Sequence, residues 1–196
     1  MGKLHITSPI PPSVNHYMGY RAIMRGGKPL AVPYKTADAK SFQKEFADIV
    51  ADAVQTQGWE STNDIKQHFY VDALFYFPRK RMDCNNYWKV LLDTITDTKL
   101  IWEDDNVVCE RAQGIYYDSK NPRIELTIKP VDYIGVFDNA SQLEQFESNC
   151  IGCSRYARNC KILRQAKEGK IQDEICNGSC AKFNKRATEQ KEATNG

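Results

Sequence analysis

No apolar run in this chain approaches the ~20 residues that a membrane-crossing helix needs, so a bilayer-spanning role is not expected. The opening residues, MGKLHITSPIPPSVN, lack the continuous apolar centre of a secretory signal, and an intracellular protein is expected. In such a compartment the seven cysteines read as reduced thiols or metal ligands, not disulfides. No internal repeat is apparent, which sets stacked-repeat architectures aside. Acids are missing altogether from Met1 to Lys35, while Lys3, Arg21, Arg25, Lys28 and Lys35 stand there with His5 and His16. The net charge of +2 decides little, but this acid-free start is a candidate surface for a polyanion, or else a basic flexible arm.

What is present suits one core and a small appendage, which 196 residues can supply. Leu4 to Thr7 reads as a short strand, and Pro9, Pro11 and Pro12 then break the pattern. Arg25-Gly-Gly-Lys28 reads as a turn or mobile loop. Ala39, Phe42, Phe46, Ile49, Val50 and Ala53 recur at helical spacing, with Thr36 as N-cap and Gly58 as stop. Gln67 to Phe77 reads as an aromatic strand whose inner face is Phe69, Val71, Ala73, Phe75 and Phe77. Asp72 falls on its other face, solvent-facing or paired. A second helix over Asn85 to Thr96 and strands over Val107 to Tyr117 and Arg123 to Lys129 complete an α+β fold: a small mixed sheet with two main helices. The expected organisation is an α+β domain over 1–136, a cysteine-rich metal-binding domain over 137–185 and an unstructured tail over 186–196.

Charge interrupts the apolar pattern between Arg81 and Val108. On the second helix Asn86, Lys89 and Asp93 share one stripe, while Val90, Leu91 and Ile95 share another that can face the core. Asp83 precedes the helix, where a carboxylate can cap free backbone N–H groups. Glu103, Asp104 and Asp105 precede a strand. If helix and strand are neighbours, Asp83, Asp93 and Asp104 or Asp105 could converge. Clustered carboxylates repel unless a cation compensates them, and oxygen-only ligands favour Mg²⁺ or Mn²⁺. Such a centre activates water for attack on a phosphate, with Lys89 placed to stabilise the leaving group. The structural alternative has Asp83 as a cap only, Asp93 paired with Lys89, and a solvated acidic turn.

Asp83-Cys84-Asn85-Asn86, Lys89, Asp93 and Asp104-Asp105, in that order, resemble the RusA family of Holliday junction resolvases. Pro11 to Asn15, Pro-Pro-Ser-Val-Asn, resembles that family's N-terminal segment, and the likeness covers about Leu4 to Pro130. The resemblance implies a homodimeric, Mg²⁺-dependent endonuclease acting on branched DNA, with Asp83, Lys89 and Asp105 as the catalytic set. It implies metal ligation by Asp83 and Asp105, with Asn85, Asp93 and Asp104 at the same centre. It also suits the cytoplasm of a bacterial or phage-infected cell. Asn85 departs from the family's aspartate there: an amide still offers a carbonyl oxygen, but one negative charge is lost. Asn15, Tyr17, Arg21, Arg25, Lys28, Lys35, Arg79, Lys80, Arg81 and Asn86 are the expected nucleic-acid contacts. The cations would meet phosphates, and Tyr17, Tyr20 and Tyr34 would stack on bases or serve only as packing residues.

Five cysteines crowd the C-terminal part as Cys150-x2-Cys153-x6-Cys160-x15-Cys176-x3-Cys180. A Cys-x2-Cys knuckle followed by further cysteines is a metal signal, and four of the five would close a structural Zn²⁺ site. A [4Fe–4S] cluster is the rival, and free thiols are the plain alternative. Arg155, Arg158, Lys161 and Arg164 recur near helical spacing, to extend a DNA surface or to solvate a helix. Two other readings stand beside the resolvase: a non-catalytic junction- or DNA-binding protein with a weakened metal site, and a zinc-dependent DNA-binding or protein-interaction module. A phosphatase built on Asp-x-Asp is disfavoured, because Asn85 breaks that motif.

Overall fold

The computed structural model describes residues 2–61 and 67–186; the tail expected over 186–196 lies outside the described residues from 187 onward. The chain divides into two units, residues 1–131 and 132–196.

The first unit is built on a four-stranded mixed sheet. Its strands are β1 (Leu4–Ser8), β4 (Phe69–Phe77), β5 (Val108–Tyr117) and β6 (Arg123–Pro130), in the order β1-β6-β4-β5. β4 runs parallel to β5 and antiparallel to β6, which is antiparallel to β1. Alternate β4 residues, Phe69 to Phe77, are buried, as the period of two requires. They join Leu4 and Ile6 of β1 and Ile124, Leu126 and Ile128 of β6 in the core. Helix α2 (Ala37–Thr56) covers this face with Ala39, Phe42, Phe46, Val50 and Ala53. Its first turn is capped by Thr36, whose hydroxyl accepts the Ala39 N–H at 3.3 Å. The shorter α3 (Trp88–Thr98) adds Val90, Leu91 and Ile95. Among the described residues no helix is long and apolar enough to cross a membrane.

The acid-free start holds more structure than its composition suggests. A single helical turn, α1 (Val14–Tyr17), leads into β2 (Met18–Arg25) and β3 (Lys28–Lys35), which pair only with each other. Gly26 and Gly27 take φ of 58° and 77°, the left-handed pair that a two-residue hairpin turn needs. Pro29 and Pro33 hide this strand in the sequence, but a two-stranded ribbon has only edges, where proline is tolerated.

The opposite face of the main sheet is polar. Arg111 donates to both carboxylate oxygens of Asp72 at 2.6 and 2.7 Å, and Gln113 donates at 2.7 Å. Gln113 is the extra residue of a bulge, since Ala73 pairs with Ala112 and Leu74 with Gly114. Arg111 also lies 3.7 Å from the Tyr70 ring centre, and Arg123 lies 3.8 Å from that of Tyr76. Asp72 is therefore the paired residue of its two readings.

The second unit holds α4 (Ala140–Ile151), α5 (Ile162–Lys167) and a hairpin of β7 (Ile175–Cys176) and β8 (Ser179–Cys180). Asn139 caps α4 by accepting the Gln142 N–H at 2.9 Å. The buried core consists of Phe137, Phe146 and Ala166, with the two rings 5.2 Å apart. Arg155 and Arg158 lie in turns and only Arg164 lies within α5, so the basic residues do not share a helical stripe.

Burial alone would raise the Asp72 pKa, but the hydrogen bonds from Arg111 and Gln113 outweigh it and hold the carboxyl below its ordinary value. The stabilisation is complete above the unfolded aspartate pKa of about 3.9 and is lost as pH falls through the lower folded value. Arg111→Met should cost about 1 kcal/mol or less at neutral pH, as expected for a partly exposed pair. It should also flatten the acid limb of stability measured by urea denaturation across that range. An acid limb identical to the parent's would mean that Asp72 gains nothing from Arg111.

Candidate functional site

β4 ends at Phe77, and an exposed basic loop follows with Arg79, Lys80 and Arg81. Arg81 adopts a left-handed backbone, φ 65°, two residues before Asp83. The Asp83 carboxylate accepts the Asn85 N–H at 3.0 Å and so caps a 3₁₀ turn over Cys84–Asn86. That turn delays the helix, which begins at Trp88 and not at Asn85 as its periodicity predicts. Asn85 is exposed and Asn86 half-buried. Lys89, largely exposed, reaches Asp93 at 3.3 Å, one turn along α3. Glu103 pairs in the same manner with Lys99 at 3.6 Å. Asp104 accepts the Asn106 N–H at 2.9 Å and caps a second 3₁₀ turn over Asp105–Val107, which feeds β5.

The expected convergence of Asp83, Asp93 and Asp104 or Asp105 does not occur within one chain. Among the described residues no group of three or more His, Cys, Asp or Glu side chains is placed to hold a metal ion. The reason lies in how α3 is anchored. Tyr87 packs on Phe77 and Trp88 on Phe75, at ring distances of 5.3 and 5.5 Å. Trp102, beyond the other end of α3, packs on Phe69 at 5.7 Å. The two acid-bearing turns are thereby held toward opposite ends of β4, separated by a helix about 16 Å long at 1.5 Å per residue.

Glu110, absent from the sequence reading, and Tyr17, expected there as a nucleic-acid contact or packing residue, join these acids. Glu110 on β5 has its pKa raised, first by desolvation and then by the Asp105 charge. Tyr17 is buried, and its hydroxyl donates to Asp93 at 3.4 Å while accepting from Gln43 at 3.3 Å. Lys35 donates to Gln43 at 3.0 Å and lies 3.7 Å from Asp97. Burial acts to lower the Lys35 pKa, but the Tyr17 hydroxyl and the Asp97 and Asp93 carboxylates outweigh it and raise the value. Asp97 was legible as one more turn along the Lys89–Asp93 stripe. Gln43, across the fold, carried no such signal.

Tyr17 is thus a packing and hydrogen-bonding residue and not a base-stacking one, because the residue is only 4 % exposed. Tyr20 and Tyr34 do reach solvent, at 73 % and 44 %, on the same hairpin as the exposed Arg21, Arg25 and Lys28. Asn15 is exposed on α1 and Lys35 half-buried at the end of β3.

All seven cysteines are free thiols. The four-thiolate Zn²⁺ site expected from spacing is not formed, since the sulfurs do not gather around a point. Cys150, Cys153, Cys160 and Cys180 instead line one cavity of about 230 Å³. Desolvation, then the neighbouring thiols of Cys180, Cys160 and Cys153, pushes the Cys150 pKa up to about 11. Cys176 is exposed, with its thiol directed at the Asp173 carbonyl at 3.6 Å.

An α+β domain with capped acidic turns and a basic loop and hairpin has the groups of a phosphodiester-handling protein. The family model "Endodeoxyribonuclease RusA" matches residues 9–129, more than half of the chain, and the chain belongs to that family. It is accordingly an endodeoxyribonuclease by family. No curated protein matches the chain. Among solved structures, 2C-methyl-D-erythritol 2,4-cyclodiphosphate synthase from Plasmodium vivax is similar at 9 % identity, covering 66 % of this chain and 96 % of that one. The TM-score of that pair is 0.22.

Asp105→Asn should lower the Glu110 pKa toward the ordinary glutamate value without reaching it, because the desolvation remains. A carboxyl-carbon NMR titration reads this directly. An unchanged Glu110 titration would remove Asp105 from its neighbourhood.

Proposed function

We propose that this chain is a structure-selective endodeoxyribonuclease that resolves four-way DNA junctions by Mg²⁺-dependent phosphodiester hydrolysis. The family match over residues 9–129 carries this reading, because it spans the Asp83, Lys89 and Asp104–Asp105 positions. Asp83, Asp104 and Asp105 would supply oxygen-only donors suited to a hard divalent cation, with Asn85 and Asp93 nearby in sequence. When bound, Mg²⁺ would supply charge to the phosphate and lower the pKa of an attacking water. Lys89 is free to swing from Asp93 toward a leaving oxygen. Arg79, Lys80 and Arg81, with Arg21, Arg25 and Lys28 of the hairpin, neutralise the phosphates of the branched substrate. The enzyme would act in the cytoplasm of a bacterial or phage-infected cell.

The metal set is incomplete in one chain, and a homodimer offers the remedy. A two-fold axis can set the Asp83 turn of one copy beside the Asp104–Asp105 turn of the other. Two such centres also suit a junction in which two strands are cut symmetrically. Asn85 favours a second reading, a junction-binding protein whose centre is too weakly charged to cut.

A synthetic four-way junction should be nicked in Mg²⁺ while linear duplex is spared. Asp83→Asn and Asp105→Asn should each abolish nicking and leave junction affinity within a few-fold of the parent. Mixing the two inactive proteins should restore nicking, since one centre of each mixed dimer then keeps both acids. Failure to restore it would place both acids of a centre on one copy. Tight junction binding with no nicking by the parent in Mg²⁺ or Mn²⁺ would establish the second reading. Loss of binding together with cutting in both variants would make the acids structural.

A further inference from the structure

The second unit poses a physical problem that its sequence alone does not solve. Its buried core is Phe137, Phe146 and Ala166, a small apolar yield for its size. Units with so little core are usually held by disulfides or metals. Disulfides are not the answer, because all of its cysteines are free thiols.

Four of those thiols are brought to one place by four different pieces of backbone. Cys150 sits at the end of α4, and Cys153 follows in a turn closed by its own N–H on the Cys150 carbonyl at 2.9 Å. Cys160 lies just before α5, and Cys180 on β8. All four line the same cavity, and its remaining wall is largely apolar, from Tyr156, Ile162, Leu163 and Phe183. Arg155 and Arg164 border it with positive charge. The Asn184 backbone N–H points at the Cys153 sulfur, 3.4 Å away. N–H groups aimed at sulfur, an apolar shell and nearby cations are what a thiolate-bound metal centre of net negative charge requires.

The size of the cavity selects the kind of centre. Zn–S bonds are about 2.3 Å, which puts four thiolates around one zinc within about 4 Å of one another. No three of these sulfurs stand in such an arrangement. They line a space of about 230 Å³, which has room for a cluster larger than a single ion. The fifth cysteine faces elsewhere. On the β7–β8 hairpin Cys180 pairs with Ile175 and Cys176 with Ser179, so the two cysteines are not equivalent, and only Cys180 borders the cavity.

We propose that Cys150, Cys153, Cys160 and Cys180 ligate a [4Fe–4S] cluster in the cavity they line, with Cys176 outside the ligand set. On taking up a [4Fe–4S]²⁺ core the four thiols release four protons, which leaves a centre of net charge −2 with no change in oxidation state. Arg155 and Arg164 offset that charge. Cluster binding is then folding energy for the second unit, independent of the acids of the first.

The full chain purified without oxygen should absorb broadly in the visible and contain about four irons and four acid-labile sulfides. Alkylation of this native protein, mapped by mass spectrometry, should modify Cys176 and spare Cys160. Both side chains are exposed in the fold, so ligation alone would distinguish them. Cys160→Ser and Cys180→Ser should lose the iron, and Cys176→Ser should keep it with an unchanged spectrum. One zinc per chain without iron would overturn the cluster. Ready alkylation of Cys160 alongside Cys176 would overturn the site. Iron retained in Cys180→Ser but lost in Cys176→Ser would overturn the ligand assignment. Junction cleavage is scored separately, so each proposal can fail alone.

Discussion

The aromatic face of β4 fixes the rest of the first unit. Phe75 and Phe77 take Trp88 and Tyr87 at one end, and Phe69 takes Trp102 at the other. Removing such a ring from a close-packed core costs about 3–5 kcal/mol, so α3 cannot slide along the sheet. Its two ends therefore hold the two acid-bearing turns apart. A constraint that arises in hydrophobic packing thus dictates where negative charge can stand.

Three of the acids have partners of their own within the fold. Asp83 and Asp104 accept backbone N–H groups of the turns they cap, and Asp93 takes Lys89 and the Tyr17 hydroxyl. Those contacts offset the repulsion that clustering would cause. Glu110 holds its proton more tightly than usual, first through desolvation and then through the Asp105 charge. Asn85 in place of a carboxylate lowers the total negative charge of the region. The cations needed for a polyanion are kept away from the core, on the Arg79–Arg81 loop and the β2–β3 hairpin.

The second unit reverses the balance. Its fully buried core is small, with partly buried residues such as Leu143, Ile162 and Leu163 packed on it, and four of its five cysteines lie around a shared space. Spacing pointed to four thiolates closing on zinc. The backbone of the Cys153 turn and of the β7–β8 hairpin instead spreads them around a cavity, and turns Cys176 away from it.

Local pattern determined a good deal by itself. The periods of α2 and β4, the Thr36 and Asp83 caps and the α+β class were legible because each depends on residues within a turn or on strict alternation. The order of Asp83, Lys89, Asp93 and Asp104–Asp105 was sufficient to suggest the family. The β2–β3 hairpin was obscured, since its strands bury little and carry two prolines. Only the tertiary structure decided that Tyr17 belongs with Asp93, Lys35 with Asp97, Asp72 with Arg111, and Cys180 rather than Cys176 with Cys150. These pairings link residues far apart in the chain, through a sheet order and ring contacts that no local periodicity encodes.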